Sequence, residues 1–267
     1  MIFLYKDYEN FCKKLANNKC LSQTAKEILI KKPGKFLILK HDVETDPKKA
    51  LEIAKIENKY FHKASYYVHY EIFIKNLNLF KEIQNLGHEV SYHYDVLDKN
   101  KGDFIKAKEE FDYHIKEFGK NGFEINTVCQ HGNPLVKRIG YNSNRDFFRI
   151  FKDKYEIKDI VVNFKEKIGD FIYISDVGYQ WQIIPSPESA DIKEEKNILI
   201  DYDKIISLAK TNSLIVSSHP HRYFKYKLEA ELKFFIFEII KKNAKLIYKT
   251  EFGKKIINKF YFLAKKF

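Results

Sequence analysis

Two short segments of the sequence carry side chains that bind metal ions or move protons at neutral pH. Residues 41–44 read His-Asp-Val-Glu, and residues 87–95 read Gly-His-Glu-Val-Ser-Tyr-His-Tyr-Asp. Both contain carboxylates and imidazoles at the ends of short apolar runs, and these groups serve as metal ligands and as general acids and bases. The combination predicts a hydrolytic site.

The elements that must position these side chains alternate between strand and helix. Apolar runs predict strands at residues 36–40, 64–68, 89–92, 126–130, 159–163, 171–175 and 214–218, with helices at 48–58, 72–86 and 102–119. Such alternation predicts an α/β fold built on a parallel sheet. Sites in parallel sheets and barrels collect at the carboxyl ends of the strands. The candidates for one shared edge are His41, Asp42, His93, His131, Asp176 and His219.

Composition indicates one compact domain in a reducing compartment. The chain has 267 residues, of which 45% are apolar and 16% aromatic, far more than a disordered chain contains. Its three cysteines show no CxxC spacing, so we expect neither a disulfide framework nor a thiolate zinc site. The N-terminal residues lack the pattern of a signal peptide, and no apolar run approaches the length of a transmembrane helix. We therefore expect a cytoplasmic protein.

The positive charge of the chain is concentrated near its C-terminus. Thirteen Lys or Arg and four Glu lie within residues 222–267, so +9 of the net charge of +12 lies there. Lys241, Lys245 and Lys249 recur every four residues beside an apolar side, which predicts a basic amphipathic helical extension over residues 224–267. This helix either packs on the domain with a solvated lysine face or docks on an anionic membrane surface. A nucleic-acid partner is not expected, because no recognised binding motif is present.

Five segments, taken in order, resemble the polysaccharide deacetylases with NodB homology, a carbohydrate esterase 4-like family, in a divergent branch. They are residues 41–44, 87–95, 129–134, 175–181 and 219–223. The resemblance runs from about residue 36 to residue 223, so residues 1–223 are expected to form the deacetylase-like domain with a helical lead-in. It implies a distorted seven-stranded β/α barrel and one divalent metal, zinc or alternatively cobalt or nickel. The implied reaction removes an acetyl group from a sugar.

The resemblance also implies how the two acids of the first segment divide their roles. Asp42 is expected to be the catalytic base and Glu44 a metal ligand, with the opposite assignment open. Alternatively, both acids simply cap the helix that follows.

The second segment departs from the family pattern, in which two metal-binding histidines lie four residues apart. His93 matches the first of them, but Leu97 stands at the second position. The vacancy is filled by His131, by Asp95, or by nothing, and His131 is the ligand we predict together with Glu44 and His93.

The late segment completes the expected site. His219 matches the histidine that acts as general acid in the family, and Asp176 is its expected partner, because a carboxylate orients an imidazole and raises its pKa. Trp181 is a candidate for stacking on a sugar ring, and His221 with Arg222 for contacting an anionic substrate group. By contrast, we interpret three further histidines as structural, namely His62, His69 and His114.

Three functions are consistent with these residues. The first is a metal-dependent deacetylase, acting on N-acetyl groups of a surface-glycan precursor. The second is a related C–N amide hydrolase with a substrate that is not a carbohydrate. The third is a carbohydrate-binding homologue without catalysis, which the apolar Leu97 favours.

Overall fold

The computed structural model describes residues 2–133, 136–185, 187 and 198–247. The strands are β1 (Phe3–Leu4), β2 (Leu37–Val43), β3 (Ala64–Val68), β4 (Glu89–Tyr94), β5 (Thr127–Gln130), β6 (Lys158–Asp159), β7 (Ile172–Ser175), β8 (Gln182–Ile184), β9 (Ile198–Leu199), β10 (Leu214–Ser218) and β11 (Tyr223–Phe224). The helices are α1 (Tyr5–Asn17), α2 (Ala25–Lys31), α3 (Pro47–Lys59), α4 (Tyr70–Lys75), α5 (Leu77–Asn85), α6 (Val96–Lys99), α7 (Phe104–Lys120), α8 (Arg145–Phe151), α9 (Lys165–Ile168), α10 (Tyr202–Ala209) and α11 (Lys227–Ile247). Short 3₁₀ turns lie at Lys152–Lys154, Val177–Tyr179 and Pro220–Arg222.

A nine-stranded sheet organises the fold, in the order β6-β5-β4-β3-β2-β10-β7-β8-β9. Pairing is parallel from β6 through β7, whereas β8 and β9 are antiparallel. A separate parallel pair joins β1 to β11. The mostly parallel α/β sheet predicted from the sequence is thus confirmed. Within the described residues no pairing joins the edge strands β6 and β9, so the seven-stranded barrel stays a prediction.

The two faces of the sheet carry different cores. One face packs against helices that include α1, α3, α5 and α7. The other face contributes Ile38, Tyr67, Cys129, Tyr173 and Ile215 to a second cluster, which Ala25 and Ile28 of α2 cover. The carboxylate of Glu89, at the start of β4, accepts the backbone N–H of Lys26 at 3.0 Å. Helix α2 therefore lies at the amino ends of the strands and leaves their carboxyl ends to the candidate site.

Strand β2 is buried at every position, as expected for a parallel strand that is covered on both faces. Successive side chains of a strand point to opposite faces. Lys40 and Asp42 therefore share one face, while His41 points to the other, away from the candidate ligands.

On that opposite face, His41 joins a buried carboxylate. Glu57 of α3 accepts hydrogen bonds from His41 Nε2 at 2.6 Å and from the hydroxyls of Tyr8 and Tyr66, both at 2.5 Å. Burial alone would raise the pKa of Glu57, but the nearby imidazole of His41 reverses this and lowers the pKa to about 2. The charged carboxylate thus holds α1, α3, β2 and β3 together.

Replacing this carboxylate is expected to destabilise the protein. In a Glu57→Gln variant the amide NH₂ must face a donor, and His41 loses its charged partner, so we expect a loss of about 2–4 kcal/mol in the free energy of unfolding. Glu52→Gln on the same helix is the control, since that side chain is 61% exposed. Urea denaturation measures both, and equal losses would contradict the prediction.

The effect of Glu57 also has an expected pH dependence. The pKa of Glu57 in the folded protein, about 2, lies below the ordinary value of 4.5. The contribution of Glu57 to the free energy of unfolding is therefore complete above pH 4.5 and is lost as the pH falls towards 2. The difference in the free energy of unfolding between the wild type and Glu57→Gln is therefore expected to be smaller at about pH 3 than at neutral pH.

The C-terminal extension predicted from residue 224 is described only as far as residue 247. Phe224 pairs with Leu4 of β1, and α11 follows directly. The predicted lysine face beyond that point, including Lys249, lies outside the described residues. No helix of the described part is both long enough and apolar enough to cross a membrane.

Candidate active site

The carboxyl ends of neighbouring strands bring most of the predicted site residues together. Asp42 lies in β2 and Glu44 follows it, while His93 lies in β4. The remaining strand ends supply His69 after β3, His131 after β5, Asp176 after β7 and His219 after β10. Since these strands are hydrogen-bonded neighbours, their ends form one continuous edge.

Three imidazoles form the centre of this edge. Ligand nitrogens of His69, His93 and His131 lie within 4.8 Å of one another, and their ring centroids are 4.7–5.2 Å apart. His93 Nδ1 donates to the carbonyl of Cys129 at 3.0 Å, which leaves Nε2 as its ligand nitrogen. Burial, and then the neighbouring His131 and His93 rings, hold the pKa of His69 well below its ordinary value, so this ring is neutral, as metal ligands must be.

Glu44 adds a carboxylate to the three imidazoles. Its Oε1 lies 3.1 Å from His131 Nε2 and 3.9 Å from His93 Nε2, and the side chain is only 8% exposed. Burial would raise the pKa of Glu44, but the imidazoles of His131 and His93 hold it well below its usual range. Glu44 is therefore an ionised oxygen donor beside three nitrogen donors.

This donor set fits a divalent ion of the zinc type. Zinc bonds of roughly 2.0–2.2 Å in tetrahedral geometry place ligand atoms about 3.4 Å apart. The distances from Glu44 Oε1 to His131 Nε2 and to His93 Nε2, 3.1 and 3.9 Å, lie on either side of that value. Either the three imidazoles, or Glu44 with two of them, make up the three protein ligands that are typical of catalytic zinc sites.

The candidates for the vacant ligand position differ in where the structure places them. Leu97 is fully buried in the core on α6, and Asp95 faces Lys99, whose Nζ lies 3.3 Å from Asp95 Oδ1. His131 instead faces Glu44. The structure thus brings together the predicted set Glu44, His93 and His131, although Pro134 of the same segment lies outside the described residues.

A second group of potential ligands, Asp42, His93 and Cys129, also lies within 4.8 Å. Lys40, however, donates to both carboxylate oxygens of Asp42 at 2.5 Å and is itself fully buried. Burial also raises the pKa of the Cys129 thiol well above its ordinary value. An ammonium group and a protonated thiol disfavour a cation here, so Asp42 is available for proton transfer instead.

Asp42 lies between the imidazole cluster and His219. Its Oδ1 is 3.9 Å from His93 Nδ1, and its Oδ2 is 4.0 Å from His219 Nε2. Burial would raise the pKa of Asp42, but the charge of Lys40 keeps it below its ordinary value. Asp42 is thus ionised at neutral pH, as a general base requires, and its bonds to Lys40 do not support the alternative of a helix cap.

His219 and Asp176 form the predicted pair. His219 Nδ1 donates to Asp176 Oδ1 at 2.7 Å, and the His219 backbone N–H donates to Oδ2 at 2.9 Å. Arg222 Nη1 also donates to Oδ1, at 2.7 Å. Burial opposes ionisation, but Arg222 and His219 lower the pKa of Asp176 to about 2. These bonds fix the orientation of the His219 imidazole, and its Nε2 lies 3.9 Å from Glu44 Oε1.

The three residues predicted to contact substrate differ in their placement: Trp181 is buried in the core, whereas Arg222 and His221 lie beside the His219–Asp176 pair. Trp181 is fully buried against Phe3, with ring centroids 5.7 Å apart, so it offers no face to a sugar. Arg222 is engaged by Asp176 and stacks on Tyr179 at 5.2 Å. Burial lowers the pKa of His221 to about 3, so this ring is neutral at pH 7 and brings no charge to an anionic group.

The sequence interpretation does not identify two candidate functional residues, His69 and Lys40. The ligand nitrogen of His69 lies within 4.8 Å of those of His93 and His131, which makes His69 a candidate ligand. His62 and His114 instead hydrogen-bond within the core, to the Cys12 carbonyl at 2.9 Å and the Tyr92 hydroxyl at 2.7 Å. A signal for His69 exists, because it follows a predicted strand directly. Lys40 can also be found from the sequence, because it is a charged residue inside an apolar run, and its position two residues before Asp42 places both side chains on the same face of a strand.

No protein-family model matches the sequence, and no curated protein matches it. The fold is similar to solved structures of CE4 family proteins. A Streptococcus mutans CE4 esterase is 14% identical, with 85% of this chain and 91% of that chain covered and a TM-score of 0.45. A Bacillus anthracis CE4 family pseudoenzyme is 14% identical, with 78% of this chain and 61% of that chain covered and a TM-score of 0.41. The match therefore spans less than two thirds of the pseudoenzyme. The peptidoglycan deacetylase PdaC of Bacillus subtilis is 11% identical, with 79% and 96% covered and a TM-score of 0.32.

Proposed function

We propose that the protein is a metal-dependent hydrolase that removes an acetyl group from the nitrogen of a sugar in a surface-glycan precursor. The observation that carries the proposal is the meeting of Glu44 with three imidazoles beside Asp42 and the His219–Asp176 pair. The sequence resemblance to polysaccharide deacetylases supports the choice of an acetylated sugar as substrate.

The metal and the residues have separate tasks in this proposal. A divalent ion held by three of the four side chains His69, His93, His131 and Glu44 would polarise the acetyl carbonyl and make water more acidic. Asp42 takes the proton from the attacking water, and its carboxylate is held for this by Lys40.

His219 completes the reaction as general acid. As the C–N bond breaks, its Nε2 gives a proton to the departing amine, so that acetate and a free amino sugar leave. Asp176 accepts a hydrogen bond from the Nδ1–H of the same ring and stays ionised, which fixes the tautomer and stabilises the charged imidazolium.

A second candidate function is binding of a carbohydrate without catalysis. Leu97, buried at the place where the family has its second metal-binding histidine, favours it. His131 and His69 offset that loss, because each offers an imidazole to the same cluster from a different strand end. A related C–N amide hydrolase that acts on a different substrate would use the same residues, and acetate release from acetylated sugars separates it from the deacetylase.

The test compares turnover with metal content in two variants. Asp42→Asn and His219→Ala are each expected to lower acetate release from N-acetylated sugars by roughly 10²–10⁴-fold, because each removes one proton-transfer group. Both should keep the metal content of the wild type. Loss of metal in Asp42→Asn would reverse the roles of Asp42 and Glu44, and a metal-loaded wild type without any acetate release would contradict the deacetylase.

We also propose a cytoplasmic location with peripheral attachment to the inner face of the membrane. The three cysteines are free, which supports a reducing compartment. The concentration of lysines in residues 222–267 supports attraction to anionic lipid.

A further inference from the structure

Helix α11 carries an apolar face that is exposed. Leu228, Leu232, Phe235 and Ile236 have exposed fractions of 78%, 58%, 62% and 47%. Their spacing places all four on one side of the helix, which we call the apolar face of α11. Large apolar side chains grouped in this way mark an interaction surface, whereas single exposed ones do not.

The opposite side of α11 fixes how this face is oriented. Ala230 is buried, and the ring of Phe234 contacts Tyr179, with centroids 5.9 Å apart. Tyr179 stacks in turn on Arg222, the residue that holds Asp176. The apolar face therefore points away from the sheet at the edge where the candidate active site lies.

The charge around this face selects its partner. Lys225 and Lys227 are exposed next to Leu228, while Glu229 and Glu231, which border the face, form ion pairs with Lys233 at 3.9 Å and Lys227 at 3.6 Å. The excess of positive charge belongs to the whole segment, because residues 222–267 carry thirteen Lys or Arg against four Glu. An apolar helix side on a segment with a net charge of +9 is complementary to a membrane surface with anionic headgroups, where apolar side chains enter the boundary and the excess lysines lie at the phosphates.

We propose that the apolar face of α11 docks on an anionic lipid membrane and thereby presents the active site to a sugar that is carried by a membrane lipid. The substrate class rests on the proposed deacetylase function, and the docking deepens the membrane attachment proposed above, because it names the face that makes the contact. A lipid-linked sugar lies at the headgroup level, and α11 sits beside Tyr179 and Arg222 at the edge that holds Asp176 and His219.

Docking is tested with the full chain and lipid vesicles. The wild type is expected to sediment with vesicles that contain phosphatidylglycerol and not with phosphatidylcholine alone. Leu232→Ser with Phe235→Ser should lower the partition coefficient at least about tenfold, because two large side chains no longer leave water. The matched control is Phe61→Ser with Ile105→Ser, which removes two side chains of 81% and 74% exposure elsewhere on the surface.

Three outcomes would overturn the docking proposal. The first is no sedimentation with anionic vesicles, and the second is sedimentation that the Leu232 and Phe235 changes leave unaltered. The third is a dimer in light scattering that dissociates in the same variant while no vesicle binding occurs, because the face would then belong to a second copy of the chain.

The substrate class is tested with one sugar in two forms. On N-acetylglucosamine coupled to a synthetic dialkylglycerol in anionic vesicles, the Leu232 and Phe235 variant should lose at least about tenfold in kcat/KM. On the soluble methyl glycoside of N-acetylglucosamine it should equal the wild type. Equal activity of wild type and variant on vesicles would overturn the lipid-linked substrate, whereas no activity of the wild type on either form contradicts the deacetylase itself and leaves the sedimentation result standing.

Discussion

His93→Ala is expected to abolish binding of the divalent ion, while the wild type binds about one ion per chain. The Nε2 of His93 lies 3.9 Å from Glu44 Oε1, its ring centroid lies 4.9 and 5.2 Å from those of His69 and His131, and its Nδ1 already donates to the Cys129 carbonyl. Loss of a residue that only supports a metal ligand costs roughly 10–100-fold in affinity, so loss of a ligand should exceed about a hundredfold. Metal analysis after loading with zinc, cobalt or nickel measures the effect, and acetate release should disappear with the ion.

The same measurement on a His69 variant tests whether His69 is a metal ligand, as its place in the structure indicates, or a structural residue, as the sequence predicts. His69→Ala is expected to lower metal affinity as strongly as His93→Ala. His62→Ala is the control, because His62 is a buried histidine with hydrogen bonds to Ser22 and Cys12 and no place in the site. Wild-type metal content in His69→Ala would mean that Glu44, His93 and His131 hold the ion alone. A wild type that binds no divalent ion after loading would contradict the hydrolytic mechanism altogether.

The central strands are predictable because they are buried on both faces and therefore read as continuous apolar runs. The predicted strands at residues 64–68 and 214–218 coincide with β3 and β10. The outer part of the sheet is not predictable in this way. Strand β9 has only two residues, Ile198 and Leu199, so although both are apolar the strand is too short for a period to show in the sequence. The helix predicted over residues 72–86 is divided into α4 and α5 at Asn76, whose φ of −134° interrupts the helix.

For the candidate site, the rule that functional groups follow strand ends locates Asp42, His93, His131, Asp176 and His219. It misplaces His41, because the rule ignores that adjacent residues of a strand face opposite sides. The partnership of His69 with His131 depends on the order β3-β4-β5 in the sheet, which one sequence does not reveal. The buried pairs of Lys40 with Asp42 and of His41 with Glu57 depend likewise on which face of β2 each residue occupies.

The pair formed by Lys40 and Asp42 should show strong coupling in stability. Lys40→Met and Asp42→Asn each leave one buried charge without its partner, and each is expected to cost about 3–5 kcal/mol in the free energy of unfolding. The double variant has neither charge, so its cost should be well below the sum of the two. Lys55→Met is the control, because its ion pair with Glu82 joins side chains that are 48% and 51% exposed, and such pairs contribute about 0–1 kcal/mol.

Turnover distinguishes a positioning role of Lys40 from a purely structural one. Lys40 holds both oxygens of Asp42 at 2.5 Å and donates to Ser217 at 3.1 Å, so it connects the base on β2 to the strand that carries His219. Lys40→Met, measured where it is fully folded, should therefore lower kcat at least about tenfold with little change in KM, because the base is no longer oriented. Additive stability losses in the double variant, or a folded Lys40→Met protein with unchanged kcat, would show that this buried ammonium does not act through Asp42.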